Sequence, residues 1–565
     1  MKLPVIILVA LIVLATATLA LTDVPGESKR PPDATVGQDL SEAEASSVLN
    51  LVFRGRPNQA LALLDSLKAR SGQEPLFLIM RARCHQEFVP MDDANKYASR
   101  EISRASLTDL DGCIAVCTKR IDAGAADSKV YLYRGWAWMA KAYVHSMTRD
   151  IYAAGKDAKK GKKDLERYLE IHPGDPMATG ILGVFLYFAD TIPGAFKLVS
   201  KLLLLPTGDR EKGLEYLERA ERSAGLLETE WKFTLYNVYF YFEGRYEEGL
   251  AGLQRMIELY PEYARTAIPL AVSRPFAPRL AARNDELVET AINSMYSAPN
   301  REMDWNALYI VQLFRAFGDR YCNHSRATLS RLRSIIHESP RHPDWAEASA
   351  RLELGRLYAS QGNRDEAVSM LESVVGGFSP EYLRKEATRL LDDIEKFSYV
   401  FDRPPQPNMD PWITALYGVP SDSLPAIRSR FAALARESVA AAFYAAECDL
   451  LSGNLEEARK GFDRVISVDA PAWDHAYQMI ASTRIAEIYA ARGFYKTAAR
   501  YEGIALSYYH NEYLVNWVLE GRKGYFERLG EGKETSPPTL LSAWTAGTVA
   551  APAAALNATT GADNH

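Results

Sequence analysis

Cys113 and Cys117 stand four residues apart in a helical pattern, so both thiols share one helix face. A zinc site there would need two more ligands close by, and the neighbouring sequence supplies none. The other cysteines, Cys84, Cys322 and Cys448, are scattered. Five thiols in 565 residues make no disulfide framework, and they read as small buried apolar residues. His337 and His342 are five apart with Pro340 between them, which reads as a loop. The stretch AAGKDAKKGKK lacks the Gly-Lys-Ser/Thr ending of a phosphate-binding loop. No HExxH or GxSxG pattern occurs. Paired carboxylates, Glu247 with Glu248 and Glu456 with Glu457, fall at helix starts, where they favour the helix dipole. The chemistry expected is therefore binding: no enzyme, no catalytic residue, no metal site and no cofactor. Lys156, Lys159, Lys160, Lys162 and Lys163 read first as a solvated helix face, and second as contact with an acidic partner or a membrane surface.

The elements that would position such residues are helices. Long amphipathic stretches are separated by Gly or Pro, and strand signals are almost absent. One unit reads RLELGRLYASQGNRDEAVSMLESVVGGFSP. Gly355 and Ala367 lie twelve apart, with Tyr358 on the first helix, Gly362 between the helices and Leu371 on the second. Two antiparallel helices approach closely only where small residues meet, and large residues fill the gaps beside them. The same offsets recur with Ala486, Tyr489, Gly493 and Ala498, with Phe240, Gly244, Tyr246 and Leu253, and with Ala446, Gly453, Ala458 and Phe462. Two units are expanded. Gly135 and Gly161 hold the small positions 26 apart, and Gly183 and Gly213 hold them 30 apart.

This recurring spacing resembles the tetratricopeptide repeat. It predicts an all-α chain folded as a TPR-like α-α superhelix, a helical-hairpin solenoid with insertions. Residues 182–220, which include LGVFLYFADTIPGAFKLVSKLLLLPTGDREKGLEYLERA, further resemble the tetratricopeptide repeat 39 family. That family is related to the yeast inclusion-body clearance protein, and the segment is similar to exported bacterial proteins too. The resemblance implies a scaffold and supplies no catalytic residues.

Residues 1–22 read as a signal peptide or N-terminal anchor. Lys2 precedes the apolar run Val5–Leu14, and Ala15-Thr16-Ala17 offers a cleavage pattern. Val5–Leu21 is 17 residues, at the short edge of what spans a bilayer. Residues 23–40 read as a flexible linker, 41–400 as an N-terminal helical array, 401–425 as a Pro-rich linker, 426–530 as C-terminal helices and 531–565 as a disordered tail. The expected location is exported, periplasmic or extracellular, with possible membrane association through the N-terminal segment. The net charge of −6 gives no global pull on nucleic acid.

In a solenoid of this type the first helix of each pair lines the concave face. Trp136, Tyr187 and Tyr241 fall on inward positions, and Trp231 shares a helix with Tyr241. Rigid rings make good anchors. These four form the expected groove for a protein or peptide partner, with an envelope glycan as the alternative ligand.

Overall fold

The computed structural model describes residues 38–87, 96–124, 127–147, 150–191, 208–223, 225–276, 281–297, 305–321, 325–337, 344–377, 379–403, 409–418, 423–508 and 513–534. The expectations for residues 1–22, for most of 23–40 and for most of 531–565 lie outside them, as do residues 192–207 of the expanded Gly183–Gly213 unit, Cys322 and His342. The described residues carry 24 α-helices and no strand. The expected all-α helical-hairpin fold is what the chain adopts.

The helices run α1 (Glu42–Phe53), α2 (Pro57–Ser71), α3 (Pro75–Gln86), α4 (Lys96–Asp122), α5 (Lys129–Met147), α6 (Ile151–Ile171), α7 (Pro176–Thr191), α8 (Arg210–Glu221) and α9 (Glu228–Val238). A short π-helical segment, Tyr239–Glu243, follows. Then come α10 (Tyr246–Leu259), α11 (Ala264–Ser273), α12 (Ala281–Ser297), α13 (Trp305–Tyr321), α14 (Ser325–His337), α15 (Asp344–Ser360), α16 (Arg364–Gly376) and α17 (Glu381–Lys396). The last are α18 (Asp410–Gly418), α19 (Leu424–Leu434), α20 (Val439–Leu451), α21 (Leu455–Ser467), α22 (His475–Ala491), α23 (Tyr495–Tyr508) and α24 (Tyr513–Gly530).

Two compact units result. Unit 1 takes Met1–Val238, Ala251–Ala271 and Arg283–Val311, and unit 2 takes Tyr239–Leu250, Val272–Ala282 and Gln312–His565. The chain passes between the two units within residues 238–312. Within the Pro-rich stretch 401–425, Asp410–Gly418 is helical. Pro411 sits in its first turn, where a missing N–H costs no helix hydrogen bond.

The hairpin turn repeats one piece of chemistry. At Gly362 the backbone takes φ 80°, a left-handed conformation that favours glycine. The following N–H, of Asn363, donates to the Tyr358 carbonyl at 2.9 Å and closes the helix end. Arg56 to Leu51, Asn454 to Asp449 and Phe494 to Tyr489 make the same closure at 2.9 Å. After the π segment the closure is one residue wider: the Arg245 N–H reaches back to Tyr239 at 3.0 Å.

The small-residue pairs meet as their spacing requires. A Cβ on Gly161 would lie 3.0 Å from the Gly135 carbonyl oxygen, and one on Gly355 would lie 2.7 Å from Leu371. The expanded pair Gly135–Gly161 therefore brings α5 and α6 together as the twelve-residue pairs bring theirs.

Burial sorts the helices into two kinds. In α22 every residue from Ala476 to Ile488 is buried. In α3 nearly all of Pro75–Gln86 is buried, and in α9 nearly all of Glu230–Val238. A helix covered on all sides is an inner element. Others bury one stripe only: Ala367, Leu371 and Val374 in α16, and Ala458, Gly461, Phe462 and Val465 in α21. These form the outer layer.

Candidate functional site

Inner helices buried all round must still accommodate their charged residues. In unit 1, Arg83 of α3 donates from Nε to Glu230 of α9 at 2.8 Å and pairs with Glu87 one turn along. Arg265 of α11 lies 3.6 Å from Glu87. Burial pushes the Glu230 carboxyl up. Burial acts on Glu87 in the same direction, but Arg265 and Arg83 outweigh it and hold that carboxyl below its ordinary value.

Unit 2 has the larger cluster. Arg484 of α22 donates to Glu447 of α20 at 2.8 Å, to Glu487 at 3.2 Å, and to the backbone carbonyls of Phe276 and Pro275. Arg522 of α24 bridges two carboxylates, Glu502 of α23 at 2.6 Å and Glu487 of α22 at 2.8 Å. The Thr483 hydroxyl donates to the other Glu502 oxygen at 3.4 Å. Burial raises Glu502 to about 7, against the opposing pull of Arg522. A second group of buried pairs joins Arg356 to Glu386 at 2.7 Å and Arg320 to Glu353 at 3.3 Å. Charges taken out of water this way are tolerable only when each is held by its counterpart, and pairs such as Arg83–Glu230, Arg484–Glu447 and Arg522–Glu502 each join two helices. The chemistry open to them is clamping and, at Glu502, proton uptake.

The four expected groove residues separate on this background. Trp136 is half-buried on α5. Tyr187 is fully buried, edge-to-face with Phe188 at 5.0 Å. Trp231 is 6% exposed and its indole seats on Gly180, where a Cβ would come within 2.5 Å of the ring. Tyr241 is 2% exposed, edge-on to Trp517 at 5.8 Å. Tyr187 and Trp231 lie in unit 1 and Tyr241 in unit 2. All three rings thus meet their own unit's core, and Trp136 alone keeps open surface for a partner.

The sequence reading passed over Trp138 on the same helix. Lys160 Nζ sits 3.6 Å from its ring centroid and Lys141 Nζ sits 5.6 Å away, both within cation–π range. The signal was present in the lysine run and in Lys141 one turn on. Cys113 and Cys117 are both buried, and Cys113 Sγ donates to the Tyr133 carbonyl at 3.8 Å, which fits their reading as core residues. Among the described residues no group of three or more His, Cys, Asp or Glu side chains is placed to hold a metal ion.

A tetratricopeptide repeat family model matches residues 349–376, the segment that spans α15, the Gly362 turn and α16. Residues 349–376 are a tetratricopeptide repeat. Among solved structures, IFIT1 as a monomeric mutant with m7Gppp-AAAA is 15% identical, with a TM-score of 0.30, covering 75% of this chain and 94% of that one. The human IFIT1 dimer with PPP-AAAA is 14% identical, with a TM-score of 0.27, covering 76% and 94%. No curated protein sequence matches, so the narrower resemblance of 182–220 gains no support from a curated relative.

Proposed function

We propose that this chain is a non-catalytic TPR scaffold, exported to the cell envelope, that holds a protein or peptide partner. The observation that carries this reading is the helical-hairpin array around the repeat at 349–376, an architecture suited to presenting a preformed surface. Buried guanidinium–carboxylate pairs fix the inner helices, so a partner meets a surface already ordered and binding loses less entropy. Trp136 is the anchor proposed for that surface. Export rests on Lys2, the Val5–Leu14 run and the small residues after it.

The test is capture from envelope extract with the full chain and with Trp136→Ala. A protein retained by the first and lost by the second is the expected result. Polysaccharide retained in place of protein, or equal capture by both forms, overturns the assignment. Fractionation that leaves the full-length chain free in the cytosol overturns export.

A further inference from the structure

Glu502 of α23 is fully buried between α22 and α24. One of its oxygens takes the Arg522 Nε–H at 2.6 Å, and the other takes the Thr483 hydroxyl at 3.4 Å. Arg522 is shared, because its Nη2 donates to Glu487 at 2.8 Å. Glu487 has a second guanidinium, that of Arg484, at 3.2 Å. Tyr246 lies with its ring 5.4 Å from the Arg522 guanidinium carbon. These are the charged and titratable groups that α22, α24 and the start of α10 turn toward Glu502. Two carboxylates out of water thus compete for Arg522, and among the described residues Glu502 pairs with no other cation. With both ionised, like charges face one another across one guanidinium, and a proton on Glu502 removes that opposition.

We propose that α24 is a proton-operated latch, closed over Tyr241 and Phe242 while Glu502 carries a proton and released when Glu502 ionises. The weaker side of the cluster is α24. On the other side α22 is covered all round, and Arg484 ties it further to Glu447 and to the carbonyls of Phe276 and Pro275. Helix α24 is the last described helix, and besides Arg522 its polar ties are the Tyr246 hydroxyl to the Val518 carbonyl at 3.0 Å and Arg528 to Glu243 at 3.1 Å. Its Trp517 covers Tyr241 at 5.8 Å and Phe242 at 6.3 Å, so release bares an aromatic run. The sign follows from burial, which raises the Glu502 carboxyl from 4.5 to about 7 in the closed form. Opening returns it to water and to its ordinary value. The closed form therefore has its full advantage below 4.5 and loses it as pH rises through about 7. From about pH 5.5 to about pH 8.5 this makes opening about thirtyfold more frequent. The latch is independent of partner capture and of export, and either of those can fail while it stands.

Hydrogen exchange of the full chain, corrected for the intrinsic rise of exchange with pH, is measured at about pH 5.5 and about pH 8.5. Peptides from Tyr513–Gly530 are expected to lose about thirtyfold in protection at the higher pH. Peptides from Arg364–Gly376, in the same unit, are expected to keep theirs. Glu502→Gln is expected to hold α24 closed at both. Asp474→Asn removes another carboxyl that burial raises and is expected to respond as the parent does. Glu487→Gln leaves Arg522 to Glu502, so the pH at which the protection of α24 levels off is expected to move down. Protection of α24 that is the same at both pH values overturns the inference. So does a response in Glu502→Gln equal to that of the parent. Equal loss in Arg364–Gly376 overturns it in favour of opening of the whole unit. A levelling pH that stays put in Glu487→Gln overturns it too, even where Glu502→Gln does not fold.

Discussion

Gly213 and Gly183 face one another across α8 and α7 so closely that a Cβ on Gly213 would lie 2.9 Å from the Gly183 carbonyl oxygen. The same Cβ would stand 2.4 Å from the Tyr187 backbone nitrogen, an atom that cannot swing aside. Gly213→Ala should therefore force the two helices apart and destabilise the unit by about 1–3 kcal/mol. Gly503→Ala is the matched comparison. Its Cβ would meet only the Lys523 side chain at 3.8 Å, and alanine in a helix interior is worth about 0.5–1 kcal/mol over glycine. Chemical denaturation of both variants checks the pair. Opposite signs are expected, and equal losses would show that α7 and α8 do not meet at glycine.

Replacing Arg522 by Met leaves Glu487 and Glu502 buried beside an uncharged side chain. Removing one partner of such a cluster costs about 3–5 kcal/mol. Denaturant midpoints should fall accordingly, and limited proteolysis should cut first near α24. A variant as stable as the parent would mean that the cluster is open to water.

The share of stability that rests on Glu502 and Asp474 should fall as pH rises from about 4.5 to about 7, against the opposite trend of His85, His145 and His475, whose pKa values burial lowers. The Glu502 carboxyl is raised from 4.5 to about 7 by burial, and Asp474 from 3.8 to about 6 by the same cause. A folded chain that binds these protons more tightly than the unfolded one has the benefit in full below the unfolded pKa values. It loses that benefit as pH passes the folded ones. Glu502→Gln keeps the shape and an acceptor for Arg522, so it should remove the falling contribution of Glu502 from the profile. Melting curves across this range check the sign, and a profile unchanged by Glu502→Gln would remove Glu502 as the group responsible.

Tyr241→Ala and Trp136→Ala should part company. Tyr241 is buried against Trp517, so its truncation should cost about 3–5 kcal/mol of stability. Trp136 is half-buried and proposed as an anchor, so its loss should leave melting far less changed. It should weaken partner binding by about 2 kcal/mol, roughly thirtyfold. Melting and binding measured on each variant decide it. Collapse of the fold by Trp136→Ala would make that ring structural.

The hairpins were legible because backbone contact between helices demands small residues at a fixed offset. Gly355 with Ala367 and Gly135 with Gly161 carry that demand in their residue types. The positive φ values of Gly362, Gly453 and Gly493 were legible for a similar reason, since few other residues adopt them. The inner face was not. Arg484 and Arg522 carry charges that a periodicity reading sends to solvent, yet each lies buried against a carboxylate supplied by another helix. Tyr241 was placed by counting helical turns, and the π segment at Tyr239–Glu243 changes that count by widening the turn. Trp231 meets its seat on Gly180 only through tertiary packing, which no local pattern records.

The hydroxyl of Tyr246 donates to the Val518 carbonyl at 3.0 Å, across 272 residues of chain. Gly521 lets the same C-terminal helix approach the Tyr241 carbonyl carbon and oxygen. In biosynthesis these partners are separated in time. At about 5–20 residues per second, Tyr239–Leu250 leaves the ribosome roughly 15–50 s before α24 exists. Through that interval the aromatic run Tyr239, Phe240, Tyr241 and Phe242 is without the helix that covers it. A message truncated before Tyr513 would make that interval permanent. The lesion would then be felt in the middle of the protein, where no codon had changed.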